Sequence, residues 1–313
     1  VIAVNLKLDE GNYDISWYDA EATSYEISTA AQLAGVSYIL RSVDTLEELE
    51  LFRGKTITLT ADIDLSGHAW IPIVYFSGTF DGGSHTITGL YVNNPNSLNQ
   101  GLFGILRAVG GSYNVEIKNI CLEDSYIYGS ANVGGIVGYA DAGVGIVPTS
   151  MLKINISNCV SYAVVKSKNG GNDDSSAAGG IVGNMDSSQA VVENCENYGS
   201  INGTGYHVGG IVGYTEGGKV RNCANYGTVY GSTACVGGIV GESVDGQVYN
   251  SISLGSVSGD VKYIGAIVGR NTDNDGTVEQ CYYLKGSADA RGDNKERTAL
   301  GTKKGVLADG DEG

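Results

Sequence analysis

Proline is almost missing from this chain, 3 residues in 313, and the 48 Gly do not recur at every third position. That combination excludes a collagen-like helix and points to many tight bends in a folded chain. Basic residues are scarce as well, 19 Lys and Arg against 35 Asp and Glu, for a formal charge of −16. Nucleic-acid affinity rests on clustered cations that displace counterions, so no nucleic-acid partner is expected. Charged residues make up only 17% of the chain and hydrophobic ones 42%, which is too apolar for a disordered acidic tail. No apolar run approaches the ~20 residues that cross a bilayer as a helix, so no membrane-spanning segment is expected. Neither end carries a signal-peptide pattern or a sorting tail. The first residue is Val1 rather than Met, which reads as a mature product or an expressed fragment, with any targeting segment outside the sequence given.

What the chain has in abundance is self-similarity. Val133-Gly-Gly-Ile-Val-Gly138 returns as Ala178-Gly-Gly-Ile-Val-Gly183, Val208-Gly-Gly-Ile-Val-Gly213, Val236-Gly-Gly-Ile-Val-Gly241 and Ile264-Gly-Ala-Ile-Val-Gly269. The last three copies stand 28 residues apart, the step before them is 30 and the first step is 45. A second track runs in phase: Asn158-Cys159, Asn194-Cys195, Asn222-Cys223, Asn250-Ser251 and Gln280-Cys281. A third reads Asn197-Tyr-Gly-Ser-Ile201, Asn225-Tyr-Gly-Thr-Val229 and Ser253-Leu-Gly-Ser-Val257. One repeat therefore holds three β-like runs, such as Val208–Tyr214, Gly218–Ala224 and Thr228–Tyr230, with no room between them for a packed helix. Short strands and turns at this period predict an all-β fold, a right-handed single-stranded parallel β-helix with about 28 residues per coil.

Stacked coils explain the spacing of individual residues. Val220 and Cys223 cannot both face inward on a strand of period two, so the chain must bend between them. Asn158, Asn194, Asn222 and Asn250 suit that corner, because Asn tolerates a left-handed backbone and its amide can bond to the next coil. The 45- and 30-residue steps predict insertions near Asp141–Lys153 and Lys166–Ala178, protruding as loops from one face. Ser28–Ser42 predicts an amphipathic helix with Thr29 and Gln32 as a capping box, and Thr45–Arg53 a shorter helix. Together they would cover the open end of the stack, whose strand edges are otherwise unpaired. Irregular first coils over Lys55–Val92 would lead into Gly101-Leu-Phe-Gly104. The expected organisation is thus an N-terminal segment and helical cap over 1–54, a β-helix over 55–286, and a polar tail over 287–313 that is poorly ordered or begins a connection.

Three segments then carry a resemblance. Ile27-Ser-Thr-Ala-Ala-Gln-Leu-Ala34, Gly54-Lys-Thr-Ile-Thr-Leu-Thr-Ala-Asp-Ile-Asp-Leu-Ser-Gly67 and Phe76-Ser-Gly-Thr-Phe-Asp-Gly-Gly-Ser-His-Thr-Ile-Thr-Gly-Leu90, followed by Gly101-Leu-Phe-Gly104 and the Gly-Gly-Ile-Val-Gly copies, resemble bacterial GLUG-motif surface proteins over roughly residues 13–285. The resemblance implies a secreted or surface-exposed β-helix of the adhesin-like kind found in Bacteroides-type gut bacteria. The motif also occurs beside the catalytic region of streptococcal IgA-cleaving metallopeptidases. It does not imply peptidase activity, since the chain has no His-Glu-x-x-His zinc motif. The family offers no defined binding residues to carry over.

Candidate sites come from this sequence alone. Cys159, Cys195, Cys223 and Cys281 share one repeat position and read as buried free thiols; Cys121 joins them if one residue is inserted near Ile120. Cys235 lies off that column, where His207 stands one coil earlier, and is the candidate for reactivity. No CxxC or Cys/His cluster with zinc spacing exists, and His68, His85 and His207 are too scattered along the chain for a catalytic centre. Asp141, Asp186 and Glu216 follow the Gly-Ile-Val-Gly track at a constant offset, either as a column able to bind calcium or as a solvated polar turn. Tyr is the common aromatic, 20 copies against 4 Phe and 2 Trp. Tyr162, Tyr198 and Tyr226 share one repeat position, Tyr128 and Tyr230 another. Facing outward they would form a stripe able to stack on sugar rings, and facing inward they would be core. Arg291-Gly-Asp293 in the polar tail is the sort of tripeptide that integrins bind when exposed, and it reads here as a chance match.

The function expected from these features is an extracellular or cell-surface, adhesin-like, non-catalytic binding module for a glycan or a host surface protein, acting as a monomer. The tyrosines are its ligand-binding residues, and calcium is the one cofactor considered. A β-helix polysaccharide lyase or glycoside hydrolase is the alternative, although no acid–base cluster is singled out. A stiff spacer that holds another domain away from the cell is the third reading.

Overall fold

The structure is a computed structural model that describes residues 12–42, 51–108, 114–141, 153–168, 176–272, 276–288 and 306–307. Short strands pair in parallel with the strand one coil before and one coil after, and this builds five sheets that run along the molecule. In the coil that starts at Lys219 the five strands are Lys219–Arg221, Ala224–Asn225, Val229–Gly231, Cys235–Gly237 and Val240–Val244. Gln247–Tyr249 then begins the next coil in register with Lys219–Arg221, 28 residues on. The fold is a parallel β-helix.

A coil has five strands where three were expected, because two of the apolar runs are bent. The run Val208–Tyr214 is divided at Gly210 and Ile211 between His207–Gly209 and Val212–Glu216. Only Gly fits the inner side of that bend, since a Cβ on Gly209 would meet the carbonyl oxygen of Val212. The other bend is the corner at Asn222, where φ is +53° and the flanking Val220 and Cys223 both turn into the core. The corner repeats at Asn119, Asn158, Asn194, Asn250 and Gln280 with φ between +50° and +57°. Asn222 Nδ2 donates to Asn194 Oδ1 at 3.2 Å, and Asn158 Nδ2 to Asn119 Oδ1 at 3.3 Å, so the corner amides bond from coil to coil.

Inside, each repeat contributes the same apolar positions. Ile136, Ile181, Ile211, Ile239 and Ile267 of the Gly-rich motif are all fully buried, and each stabilises the stack by about 1.5–3 kcal/mol relative to exposure. Cys159, Cys195, Cys223 and Cys281 form the expected column of buried free thiols. Their sulfurs donate to nearby carbonyls, as Cys195 Sγ does to Glu193 O at 3.3 Å. Cys121 is corrected: Asn119 takes the corner, Ile120 fills the core position with no inserted residue, and Cys121 follows it in register with Val160, half-buried beside Glu123.

The insertions are also redistributed. Both lie within the 45-residue step, after Asp141 and after Ser167, and the flanking strands keep their register. The inserted residues 142–152 and 169–175 lie outside the described residues. The 30-residue step owes its extra length to the turn after Asp186, which reaches Val191 where the next coil goes from Glu216 to Lys219.

At the N-terminal end the helix Ala30–Arg41 forms as expected. Gln32 N–H donates to Thr29 Oγ1 at 3.2 Å while Gln32 Oε1 accepts from Ser28 N–H at 2.9 Å. Leu33, Val36 and Leu40 of the helix pack into the same core as Phe52, Ile57 and Phe76. Strand Ser24–Ile27 precedes the helix and pairs with Thr56–Leu59, so the coil stack begins before residue 55 and the helix is an excursion from it. Most of the shorter helix expected over Thr45–Arg53 falls on 43–50, outside the described residues, and 51–54 form a turn. Of the tail, residues 289–305, with the Arg291-Gly-Asp293 tripeptide, and 308–313 lie outside the described residues, while Val306–Leu307 pairs with Tyr283 and Leu284.

Candidate functional site

Tyr162, Tyr198 and Tyr226 face solvent, 44%, 39% and 40% exposed. Their rings stack on one another at centroid separations of 4.8 and 4.5 Å and within 12° of parallel. The column therefore presents ring edges and hydroxyls along its length, because the inner ring faces are covered by neighbouring tyrosines. Tyr198 donates its hydroxyl to Glu196 Oε2 at 2.7 Å, and that bond, with a smaller effect of burial, keeps the phenol above its ordinary value. Tyr230 is exposed and Tyr128 half-buried. They occupy one column, but Lys166 and Asn202 stand between them, so the structure does not bring these two together.

With the sheets numbered by strand order within a coil from Lys219–Arg221 to Val240–Val244, Asp141, Asp186 and Glu216 do follow one another in the fifth sheet. Each carboxylate has a protein partner: Arg107 Nη2 at 2.9 Å from Asp141, the Tyr139 hydroxyl at 3.2 Å from Asp186, and the Tyr214 hydroxyl at 3.4 Å from Glu216. The next positions of the column are Val244 and Thr272, which end the run of carboxylates.

Asp186 and Glu216 also border a cleft of about 600 Å³ where side chains of the fourth and fifth sheets converge. Tyr139, Tyr206, Tyr214 and Tyr263 line it together with the amides of Asn132 and Asn184. Two columns meet there. His207, Cys235 and Tyr263 are aligned on the fourth sheet, and Tyr214, Glu242 and Arg270 on the fifth. The two-residue bend between these strands, Gly210-Ile211, Gly238-Ile239 and Ala266-Ile267 in successive coils, turns one column toward the other.

His207, Cys235 and Glu242 are buried side chains of this cleft, 5%, 1% and 5% exposed. Glu242 Oε2 lies 3.1 Å from His207 Nδ1 and accepts from Cys235 Sγ at 3.3 Å, and Glu242 Oε1 lies 3.3 Å from Arg270 Nη1. Burial is the largest single influence on Glu242 and opposes its charge. The hydrogen bond and charge of His207, with Arg270 and the Cys235 thiol, outweigh it and hold the carboxyl below its ordinary value. Burial, reinforced by the charge of Glu242, pushes the Cys235 thiol far up.

Spacing along the chain shows no Cys/His cluster, yet stacking builds one from residues of two coils. The signal was present in the position after each Gly-Ile-Val-Gly, which reads Tyr139, Asn184, Tyr214, Glu242 and Arg270. Two opposite charges enter a column of neutral residues next to the odd Cys235 and His207.

Comparison with known proteins agrees with this architecture. Residues 204–230, which include His207, Tyr214 and the corner Asn222, match the model of the GLUG motif. Among solved structures the chain is similar to a crystal structure from Bacteroides ovatus described as a "putative immunoglobulin A1 protease". The two share 22% identity with a TM-score of 0.58, over 90% of this chain and 82% of that one. At that identity the likeness concerns the fold. No curated protein matches the chain. Among the described residues no helix is long and apolar enough to cross a membrane. The chain is a parallel β-helix protein that carries the GLUG motif.

Proposed function

We propose that this chain is an extracellular binding module that recognises a glycan in the cleft between the fourth and fifth sheets. The observation that carries the reading is the composition of that cleft, four tyrosines with two amides and two exposed carboxylates around a volume of about 600 Å³. Sugars offer apolar C–H faces beside many hydroxyls. Rings that can stack and planar polar groups that can donate or accept in pairs are what hold them. The volume falls in the ~300–1,000 Å³ range of ligand sites. The GLUG motif supports a secreted or surface setting.

The name given to the Bacteroides ovatus protein raises peptide hydrolysis as a second reading, and the Cys235, His207 and Glu242 group is the observation in its favour. Against it, Cys235 bonds to Glu242 and its thiol is held protonated, whereas a nucleophilic Cys needs a base or cation that frees the thiolate.

A glycan array of the purified chain, with and without calcium, tests the proposal. Binding lost in a Tyr214→Ala/Tyr263→Ala variant and kept in a Tyr198→Ala/Tyr226→Ala variant is the expected result. Loss on chelation would add Asp141, Asp186 and Glu216 as calcium ligands. The reverse pattern of variants would move the site to the tyrosine stack, and silence across the array would overturn the glycan reading.

A further inference from the structure

We propose that His207, Cys235 and Glu242 form a site for a transition-metal ion of the zinc class, with its remaining coordination position open to the cleft. The proposal goes beyond the glycan reading and does not depend on it. One ligand atom from each residue lies within 4.8 Å of the other two, and this is the one such group of three among the described residues. Bonds of ~2.0–2.3 Å to one tetrahedral ion put ligand atoms roughly 3.3–3.6 Å apart. Glu242 Oε2 already stands 3.1 Å from His207 Nδ1 and 3.3 Å from Cys235 Sγ, so small side-chain movements complete those two edges.

The donor set selects the metal. One imidazole, one thiolate and one carboxylate suit zinc and its neighbours, whereas calcium and magnesium want oxygen alone. The site is also prepared by the fold. Backbone hydrogen bonds fix the strands that carry the ligands, His207 N–H to Ser176 O at 3.0 Å and Cys235 N–H to Tyr206 O at 2.8 Å. Arg270 lies against Glu242 Oε1, which leaves Oε2 turned toward His207 and Cys235. Binding breaks the Cys235 S–H bond and forms a sulfur–metal bond, and the proton goes to solvent. The charges of thiolate and carboxylate then balance a divalent ion. Three protein ligands with an open position facing a cleft is the arrangement of a site that takes a further ligand, such as water or a polar group of a bound molecule.

The full chain, stripped with chelator, is titrated with Co²⁺ and then Zn²⁺. The expected result is uptake of one equivalent of cobalt with a thiolate-to-cobalt charge-transfer absorption, displaced by zinc with no change in fold by circular dichroism. Cys235→Ser should abolish the absorption and Cys121→Ser should leave it unchanged. His207→Ala and Glu242→Gln should each weaken binding by more than the roughly 10–100-fold that loss of an outer-sphere partner costs. Should a variant fail to fold, the wild-type zinc complex supplies the second readout: X-ray absorption at the zinc edge should show one sulfur neighbour together with nitrogen and oxygen. No saturable uptake by wild type, an unchanged cobalt spectrum in folded Cys235→Ser, or a zinc shell without sulfur would overturn the proposal.

Discussion

Replacing Asn222 with Ala should destabilise the β-helix more than replacing it with Gly, the reverse of the order expected inside regular strands or helices. The backbone at Asn222 is left-handed, with φ of +53°, and such a conformation costs an ordinary L-residue roughly 1–2 kcal/mol. Both replacements lose the hydrogen bond from Asn222 Nδ2 to Asn194 Oδ1, a loss of about 0.5–1 kcal/mol at a partly solvated corner. Ala adds the strain, for a sum of about 1.5–3 kcal/mol. Gly avoids the strain and adds instead the larger freedom of its unfolded chain, about 0.4–1 kcal/mol, for a sum of about 1–2 kcal/mol. With an unfolding entropy of about 2.1 cal/mol/K per residue over 313 residues, the Ala variant should melt about 2–5 °C below the parent and the Gly variant between the two. Melting followed by circular dichroism gives the order. Amide exchange should place the loosening in the coils around 194–250, because each coil of a solenoid touches only its neighbours. An Ala variant as stable as the Gly variant would refute the argument that backbone handedness, repeated at six corners, shapes the coil.

Two other perturbations have definite outcomes. Gly237→Ala would place a Cβ against the Val240 carbonyl oxygen and 2.7 Å from Gly269 N, backbone on both sides. It should therefore cost more than about 4 kcal/mol, or prevent folding, as read by soluble yield and denaturant unfolding. The buried thiols set a pH limit. Burial holds Cys195 well above its ordinary value and pushes Cys281 up to about 11, from 9.0. Above pH 9 the unfolded chain loses thiol protons that the folded chain keeps, so the unfolded state binds fewer protons and stability falls as pH rises from 9 toward 11. Urea midpoints across that range should drop in the parent and drop less in a Cys195→Ala/Cys281→Ala variant.

Much of the fold could be read from residues. The period of the Gly-Gly-Ile-Val-Gly copies implied one coil per repeat, and the impossible inward pairing of Val220 and Cys223 implied the corner that Asn222 makes. The Thr29 and Gln32 pair implied the helix start. What escaped was whatever depends on the path of the backbone between columns. Val208–Tyr214 reads as one apolar run because nothing in its hydrophobicity marks the bend at Gly210, which arises from the close approach of adjacent coils. Cys121 resembles a member of the thiol column by residue type, yet Asn119 makes the corner and Ile120 fills the position that the thiols take in later coils. Tyr162, Tyr198 and Tyr226 share a repeat position in the sequence, but their ring-on-ring stacking follows from side-chain rotation that periodicity does not report. The His207, Cys235 and Glu242 group escaped for a further reason: its members lie 28 and 7 residues apart, and only stacking combined with the bend brings them within reach.

The proposed glycan site is the cleft between the fourth and fifth sheets. Hydroxyl-radical footprinting, with and without an oligosaccharide selected on the array, tests it most directly. Protection of Tyr206, Tyr214 and Tyr263, with little change at Tyr162, Tyr198 and Tyr226, is the expected result. Protection confined to the tyrosine stack, or to residues remote from both, would contradict it.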